Sequence, residues 1–411
     1  AAGAPVRSFY VPGRIEVLGK HTDYGGGSSL VTAVEHGFCL AAVPRADAVV
    51  RVWACDLDGR AEFRLDPELE VPHGHWSNYP MTAARRLARN FPEARRGLDL
   101  AFASDLPPAS GMSSSSALIV ASFLVIAAVN ELRTTARYRR SIADELELAA
   151  YLGCVENGQS FGELTGDRGV GTFGGSEDHT AILCSQPRCL GQFAYCPARF
   201  QRRIPVPAGT ALAVGVSGAV AEKTGAAQEL YNRASRRLSA LVELWRAHTG
   251  GGEQHIAPIL ERGPDAEARL RRLIATGEQG EFTAAELEQR LDHFVGEMGV
   301  IGPAGDALAA GDLAGFGALV DRSQRLSEEL LGNQIPETAG LARLARAAGA
   351  HAASAFGAGF GGSVWALVDE ARADVFLKAW GAAYGQAFPE RAARADFFLT
   401  QAGPAAFVLQ R

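Results

Sequence analysis

Lysine is almost missing from this chain. Of its 40 basic residues only Lys20, Lys223 and Lys378 are lysines, so each lysine stands out against an arginine-writing background. The six cysteines, Cys39, Cys55, Cys154, Cys184, Cys189 and Cys196, form no CxxC pair. Zinc and dithiol chemistry are therefore not expected, and the thiols read as reduced and mostly buried. The nine histidines include no HExxH and no i, i+4 pair, which removes a metalloprotease-type site. No run approaches the ~20 apolar residues that a membrane-spanning helix needs. The first residues, AAGAPVRSFYVPGRIE, lack the basic-then-apolar build of a secretory signal, so a cytoplasmic protein is the expectation. There is no excess of positive charge either: the formal charge is -6, which argues against nucleic acid as a partner and gives no reason to expect a membrane. No internal repeat or low-complexity tail is found.

What is present is the balance of an ordinary enzyme, with 47% apolar and 21% charged residues. At ~150 residues per domain, 411 residues predict two packed lobes. The boundary falls in the proline-bearing stretch RFQRRIPVPAG, giving lobes 1–205 and 206–411. Apolar β-branched runs predict strands at 14–18, 38–43, 49–53, 98–103, 211–216, 363–368 and 397–400. Helical periodicity marks 113–130, 142–157, 225–247, 267–275, 284–298, 306–310 and 313–331, with HTGGGEQHIAP (248–258) as a surface loop. Strands and helices thus interleave.

Three segments rich in glycine or serine carry the chemistry. In PGRIEVLGKHTDYGGG (12–27) a strand pattern runs into a loop with Lys20, His21, Asp23 and Tyr24. Polar groups gathered on a loop after a strand suit ligand binding, and equally suit a solvated turn. In DLPPASGMSSSSALIVASFLVIAAVNEL (105–132) a small-residue loop and four serines open a long apolar helix. Unpaired N–H groups and the positive end of the helix dipole make such a terminus a phosphate site. This is not the GxxxxGK[ST] loop, because no lysine follows the glycines. In SAFGAGFGGSVWALV (354–368) the glycines allow a backbone approach that a Cβ would block.

Together, and in this order, these segments resemble the three signature motifs of the GHMP kinase superfamily, and within it the galactokinase branch: GRxNxIGEHTDYxxG, PxGxGLSSSA and GxGFGGC. HWSNY (75–79) is similar to the family's WxNY segment, and FGALVDRSQRLSEELLGNQIPETAGL (316–341) to its FGxLMxxSHxSLxxxYxVSxPELDxL stretch. The resemblance implies a two-lobed α+β fold, with a ribosomal-S5-like N-terminal lobe and a ferredoxin-like C-terminal lobe around a cleft. It implies an ATP- and Mg²⁺-dependent sugar 1-kinase acting on a small sugar, monomeric or a weak dimer. ATP phosphates would rest on the N–H groups of Gly111, Met112, Ser113, Ser114 and Ser115. Ser114 and Glu156 would hold Mg²⁺, and Trp76 falls where the family has an aromatic near adenine, though a core Trp reads as well. Asp178 in GGSEDHT takes the position of the catalytic base, with Glu177 as its competitor and Arg14 beside it. His21, Asp23, Gly175 and Tyr231 match sugar-binding positions.

The chain departs from the pattern in four places. Lys20 replaces a glutamate that meets the sugar's C6 hydroxyl, Ala109 replaces a glycine, Ser363 replaces a cysteine, and the segment QSFGELTGDRGVGTFGG between Glu156 and Asp178 is long. Lys20 is a cation at a specificity position, and Lys223 lies in SGAVAEKTGAAQELY, the stretch where the family has the polar residues leading to its substrate tyrosine. Two outcomes stay open. Either Lys20 faces an altered or anionic acceptor, such as a uronic acid or sugar phosphate, with an amino sugar or a pentose such as arabinose as further alternatives; or it turns to an acidic neighbour such as Glu16 or Glu222 and leaves galactose to His21 and Asp23. A non-catalytic sugar sensor is the reading from another class.

Overall fold

The computed structural model describes residues 5–72, 74–108, 110–219, 225–277 and 280–410, so Lys223, Glu222 and Ala109 lie outside the described residues. The architecture is α+β with two sheets. Strand β1 (Arg7–Leu18) pairs antiparallel along β2 (Ser28–Pro44), from Arg7 opposite Ala42 to Leu18 opposite Leu30, so residues 19–27 are the connection between them. β3 (Val49–Ala54), β4 (Gly59–Arg64) and β5 (Leu98–Ser104) extend this sheet, β3 and β5 running parallel. β6 (Cys189–Ala194) pairs with the start of β2 and β7 (Arg199–Pro205) with β6. The second sheet holds β8 (Thr210–Val216), β9 (Ala352–Ala355), β10 (Ser363–Asp369) and β11 (Asp396–Thr400) in the order β11-β8-β10-β9, all antiparallel.

The change of sheet falls between Pro205 and Thr210. The last strand, β12 (Phe407–Gln410), does not stay with the second sheet but returns to pair with β1. One apolar core also runs through both halves, joining Val11, Ile15 and Leu100 to Val214, Ile301 and Trp365. The change of sheet at 205–210 is thus crossed both by β12 and by the core.

The helix Ser114–Val129 is apolar on all sides and almost every residue is buried, as expected of a helix with no polar face. It packs on β1 and on the helix Asn78–Asn90, and this fixes its N-terminus beside the end of β1. The segments 284–298 and 306–310, expected as separate helices, form one helix, Ala284–Ala309, which continues through Pro303. Pro303 removes an N–H and crowds the carbonyl of residue 299, but Val300, Ile301 and Ala304 are buried against the neighbouring elements and hold the helix together. Helix Leu313–Leu326 passes into a π-helical turn, Ser327–Leu331, where one helix was expected. The stretch 248–258 is only partly a surface loop. Ile256 and Ala257 begin the helix Ile256–Leu260 and are buried, with Ile256 packed against the 19–27 connection at Gly25. The cysteines are a further correction. All six are free, but Cys39 and Cys55 are exposed and the rest only half-buried, because Cys39 sits on the outward face of β2 and Cys55 in the turn after β3. Among the described residues no helix is long and apolar enough to cross a membrane.

Candidate active site

Arg14 and Glu16 lie on one face of β1, two residues apart, and point to the same side. Their side chains enter a cavity of about 510 Å³, counting its open mouth. The cavity gathers Arg14, His21, Asp23, Glu156, Gly175, Glu177, Asp178 and Tyr231 from segments far apart in the chain. Most of the residues marked from the sequence for catalysis and sugar binding are thus brought together.

Arg14 is the hub. Its Nε donates to Asp178 Oδ1 at 2.7 Å, Nη2 lies 2.6 Å from the same oxygen, and Nη1 donates to the carbonyl of Gly111 at 2.6 Å. One planar guanidinium thereby fixes the acidic turn against the serine loop, a fork that a lysine could not reproduce. Burial works against the Arg14 charge, but Asp178, Glu16 and Glu177 more than offset it and hold its pKa above the ordinary value. Asp178 sits in the first turn of the helix Glu177–Cys184, with 19% of its side chain exposed toward the cavity. Glu177 next to it is 5% exposed, and burial with Glu16 and Asp23 nearby raises its pKa well above that of a free carboxyl.

The serine loop turns sharply before its helix: Gly111 and Ser113 have φ of 79° and 58°. Its carbonyls face the protein, Met112 O accepting from Arg14 N at 3.2 Å and Ser110 O from Ser363 Oγ at 2.7 Å. Ser363, the residue in place of the family's cysteine, therefore ties the third glycine segment to the serine loop. Close packing explains the glycines here, since a Cβ on Gly357 would stand 2.8 Å from Gly111 O. The helical ladder begins with Ala117 N on Ser113 O, so the N–H groups of Ser114, Ser115 and Ser116 have no intrahelical acceptor.

Ser116 is a residue that the sequence reading missed. Its hydroxyl lies 2.8 Å from Glu156 Oε2 and 3.2 Å from Asp178 Oδ2, whereas Ser114, the expected partner of Glu156, does not line the cavity. A helix turn advances 100° per residue, so two positions in a serine row point to different sides; the row alone could not say which one faces the carboxylates. Two carboxylates and a hydroxyl converging in this way form the all-oxygen set that suits a hard cation such as Mg²⁺. His179 Nε2 stands 3.0 Å from Glu156 Oε2 on the other side.

On the acceptor side, Asp23 Oδ2 takes the backbone N–H of Glu177 at 3.2 Å, and burial raises its pKa. Gly175 is required at this point, because a Cβ there would stand 2.2 Å from Asp23 Oδ2. The His21 ring packs 5.1 Å from that of Tyr231. Its Nε2 is 3.1 Å from Ala358 O, which can only accept, so Nε2 carries the proton; Nδ1 is 2.8 Å from Tyr24 OH. Arg290 Nη2 donates to both His21 O and Tyr24 OH, at 2.6 and 3.1 Å. With Ser116 and His179, the residues Glu16, Tyr24, Asn157, Thr172, Gly174, Gly357 and Ala358 complete the lining. Of these, Tyr24 and Gly357 lie in segments marked from the sequence, and Glu16 had a signal in its two-residue spacing from Arg14.

Lys20 is a correction. Its side chain is fully buried and does not line the cavity. Nζ donates to Ser323 Oγ at 2.9 Å, and Ser323 in turn donates to Glu297 Oε1 at 2.9 Å. The turn imposed by Gly19 and His21, with φ of 111° and 58°, sends residue 20 beneath the connection while His21 and Asp23 face the cavity. Lys20 thus joins the 19–27 connection to two helices of the second half. Trp76 packs edge-on to Phe102 at 5.9 Å and against Gly59, and does not line this cavity.

Burial pushes the Glu16 carboxyl from 4.5 up to about 7, with Lys20 and Arg14 pulling the other way. A raised folded-state pKa means that the native protein binds the proton more tightly than the unfolded chain, so the contribution to stability is complete below about 4.5 and is lost as pH rises through about 7. The melting temperature is expected to fall between about pH 4.5 and pH 7, and Glu16→Gln is expected to reduce that fall; calorimetry across this range checks it.

Three family models match the chain: the galactokinase galactose-binding signature over residues 2–44, the GHMP kinases N terminal domain over 78–158 and the GHMP kinases C terminal over 306–386. The chain is 25% identical to a Lactococcus lactis galactokinase solved in complex with galactose, with a TM-score of 0.80 over 98% of this chain and 95% of that one. A mevalonate kinase from Methanococcus jannaschii shares the fold at 13% identity, with a TM-score of 0.59 over 98% of this chain and 99% of that one. A galactokinase from Chloroflexus aggregans is 30% identical over 384 residues, 92% of this chain and 88% of the relative. An identity sustained along nearly the whole of both chains, with all three motifs in the same order, means that the chain belongs to the galactokinase family of the GHMP kinases.

Proposed function

We propose that this sugar kinase transfers the γ-phosphoryl group of ATP to the anomeric hydroxyl of galactose, giving a sugar 1-phosphate and ADP. The observation that carries the reading is Asp178, pinned by Arg14 and opening into the same cavity as His21, Asp23 and Tyr231. GHMP kinases use ATP as phosphate donor. Here the free N–H groups at the start of the helix Ser114–Val129, with those of Gly111, Met112 and Ser113 in the loop before it, would take its phosphates, at the positive end of the helix dipole. Trp76 is held as a candidate for the adenine side.

Asp23 accepts hydrogen bonds from neighbouring sugar hydroxyls, and Gly175 leaves it room to do so. With the sugar so held, the anomeric hydroxyl faces Asp178, which takes its proton as the phosphoryl group arrives. Because the transition state of phosphoryl transfer is loose, the proton leaves late, and positioning with charge neutralisation does most of the catalysis. Arg14 keeps Asp178 in place. Ser116 and Glu156 would hold Mg²⁺, which would neutralise phosphate charge and leave Asp178 to the acceptor hydroxyl. Ser116→Ala is expected to lower kcat about tenfold and to raise the Mg²⁺ concentration for half-maximal rate, with a smaller effect from Ser114→Ala; the reverse order would sink the assignment of Ser116.

Burial of Lys20 against Ser323 removes the Lys20 part of the argument for an anionic acceptor; Lys223 lies outside the described residues. In a panel of galactose, galactosamine, galacturonate and arabinose, read by ADP release, galactose is expected to have the highest kcat/KM. Galacturonate as the best acceptor would overturn the choice of sugar. Absence of ATP-dependent turnover with every sugar, together with retained sugar binding, would favour the sensor instead.

A further inference from the structure

The long segment between Glu156 and Asp178 is anchored at both ends. Asp167 forms ion pairs with Arg85 and Arg86 at 2.9 and 3.4 Å, all three side chains being buried. At the far end, Asn232 accepts from Phe173 N and donates to Gly171 O, both at 3.0 Å, and Asn157 accepts from Gly174 N at 3.1 Å. A wall fixed in this way closes a second cavity of about 990 Å³, counting its open mouth. It abuts the catalytic cavity, the two sharing Tyr24 and Gly174. Arg14, Ser116 and Asp178 line the catalytic cavity and not the second one, so the shared lining residues are not the reacting groups.

The lining defines the chemistry of an occupant. Phe173 is 49% exposed, an aromatic surface held from behind by its backbone. Around it stand neutral hydrogen-bonding side chains, Gln159, Ser239, Gln254 and His255. His255 Nδ1 lies 3.2 Å from the carbonyl of Tyr24 and so carries its proton, which leaves Nε2 as an acceptor. Burial lowers the His255 pKa and keeps the ring neutral at neutral pH. Among the described residues no carboxylate lines this cavity, and Arg236 is already paired with Glu229 and Glu281. Among the described residues a phosphate or a cation finds no free counter-charge here, whereas a neutral ring bearing hydroxyls finds donors, acceptors and an apolar face to rest on.

We propose that the second cavity is a glycosyl subsite: a neutral sugar unit linked to the acceptor sugar, at a carbon other than the reacting one, rests against Phe173 while the reducing-end ring occupies the catalytic cavity. This rests on the sugar-kinase reading. The chain then phosphorylates reducing disaccharides at the free anomeric oxygen: the bond from the γ-phosphorus to ADP breaks, the bond to the sugar oxygen forms, and the hydroxyl proton passes to Asp178.

The test uses the full chain with galactose and with 1→3-, 1→4- and 1→6-linked galactobioses. At least one galactobiose is expected to be phosphorylated at its reducing end with kcat/KM within tenfold of galactose. Phe173→Ala and Gln254→Ala are expected to lower that value at least fivefold while leaving galactose within twofold. Turnover of galactose without turnover of any galactobiose overturns the subsite and leaves the kinase reading standing, as does an equal loss on both substrates in the variants. If galactose itself is not phosphorylated, the kinase reading fails, and saturation-transfer NMR decides the subsite separately: contact with both rings of a galactobiose, weakened on one ring by Phe173→Ala, supports it, and contact with one ring overturns it.

Discussion

Asp178→Asn is expected to lower kcat for ATP-dependent sugar phosphorylation by about 10³-fold, in the middle of the ~10²–10⁴ range for loss of a positioned acid–base group. The substitution keeps the shape and leaves an oxygen that can still accept from Arg14, whose Nε and Nη2 both reach Asp178 Oδ1. KM for ATP should therefore change little, and the loss should appear in kcat. Glu177→Gln is the internal comparison. Glu177 is 5% exposed against 19% for the Asp178 side chain, and burial raises its pKa well above the ordinary value, so it is the less accessible carboxyl of the two. Its replacement should cost at least tenfold less than that of Asp178. Steady-state ADP release with both variants decides the matter: full activity in Asp178→Asn removes it as the base.

Arg14→Lys comes second. The guanidinium holds Asp178 through two nitrogens and the Gly111 carbonyl through a third. A single ammonium has no fork with which to span both, so either the acidic turn or the serine loop loses its fixed position. A displacement of about 1 Å in a positioned group can cost ~10²-fold in rate, and that is the expected fall in kcat. Arg14→Met should go further. With Arg14 only 3% exposed, removing one partner of the pair leaves the other charge unbalanced, at a cost of about 3 kcal/mol in stability. Denaturant unfolding measures that loss, and ADP release the rate. A Met variant as stable and as fast as the native protein would remove Arg14 from the centre of the site.

Both predictions concern residues that the sequence made legible, and the reason is local. Arg14 stands in a strand that leads into a polar connection, and Asp178 opens a short helix after a glycine run, so neighbouring residues in the chain create both environments. Signature segments survive as strings because the backbone turns they encode are set by the glycines and serines inside them. The strands at 49–53, 98–103 and 211–216 and the serine helix were legible on the same ground: period and apolar content over a short window determine the element.

Other features could not be read that way. The string HTDY gives no direction for residue 20; the positive φ of Gly19 and His21 and the waiting hydroxyl of Ser323, some three hundred positions away, turn Lys20 inward. The serine row gives four hydroxyls and no azimuth, and only the packing of its helix on β1 puts Ser116, not Ser114, beside Glu156 and Asp178. Pro303 reads as a break, but buried neighbours on both sides of it carry the helix through. The return of β12 to β1 has no local cause at all.

The sequence by itself determined the family and the α+β composition and marked the three loop segments, because these depend on residues adjacent in the chain. The tertiary structure decided which side chains face the cleft, where the lysine points and what wall the long glycine-rich segment builds. Those depend on contacts between distant residues, and the orientation of a side chain is set by the surface it meets.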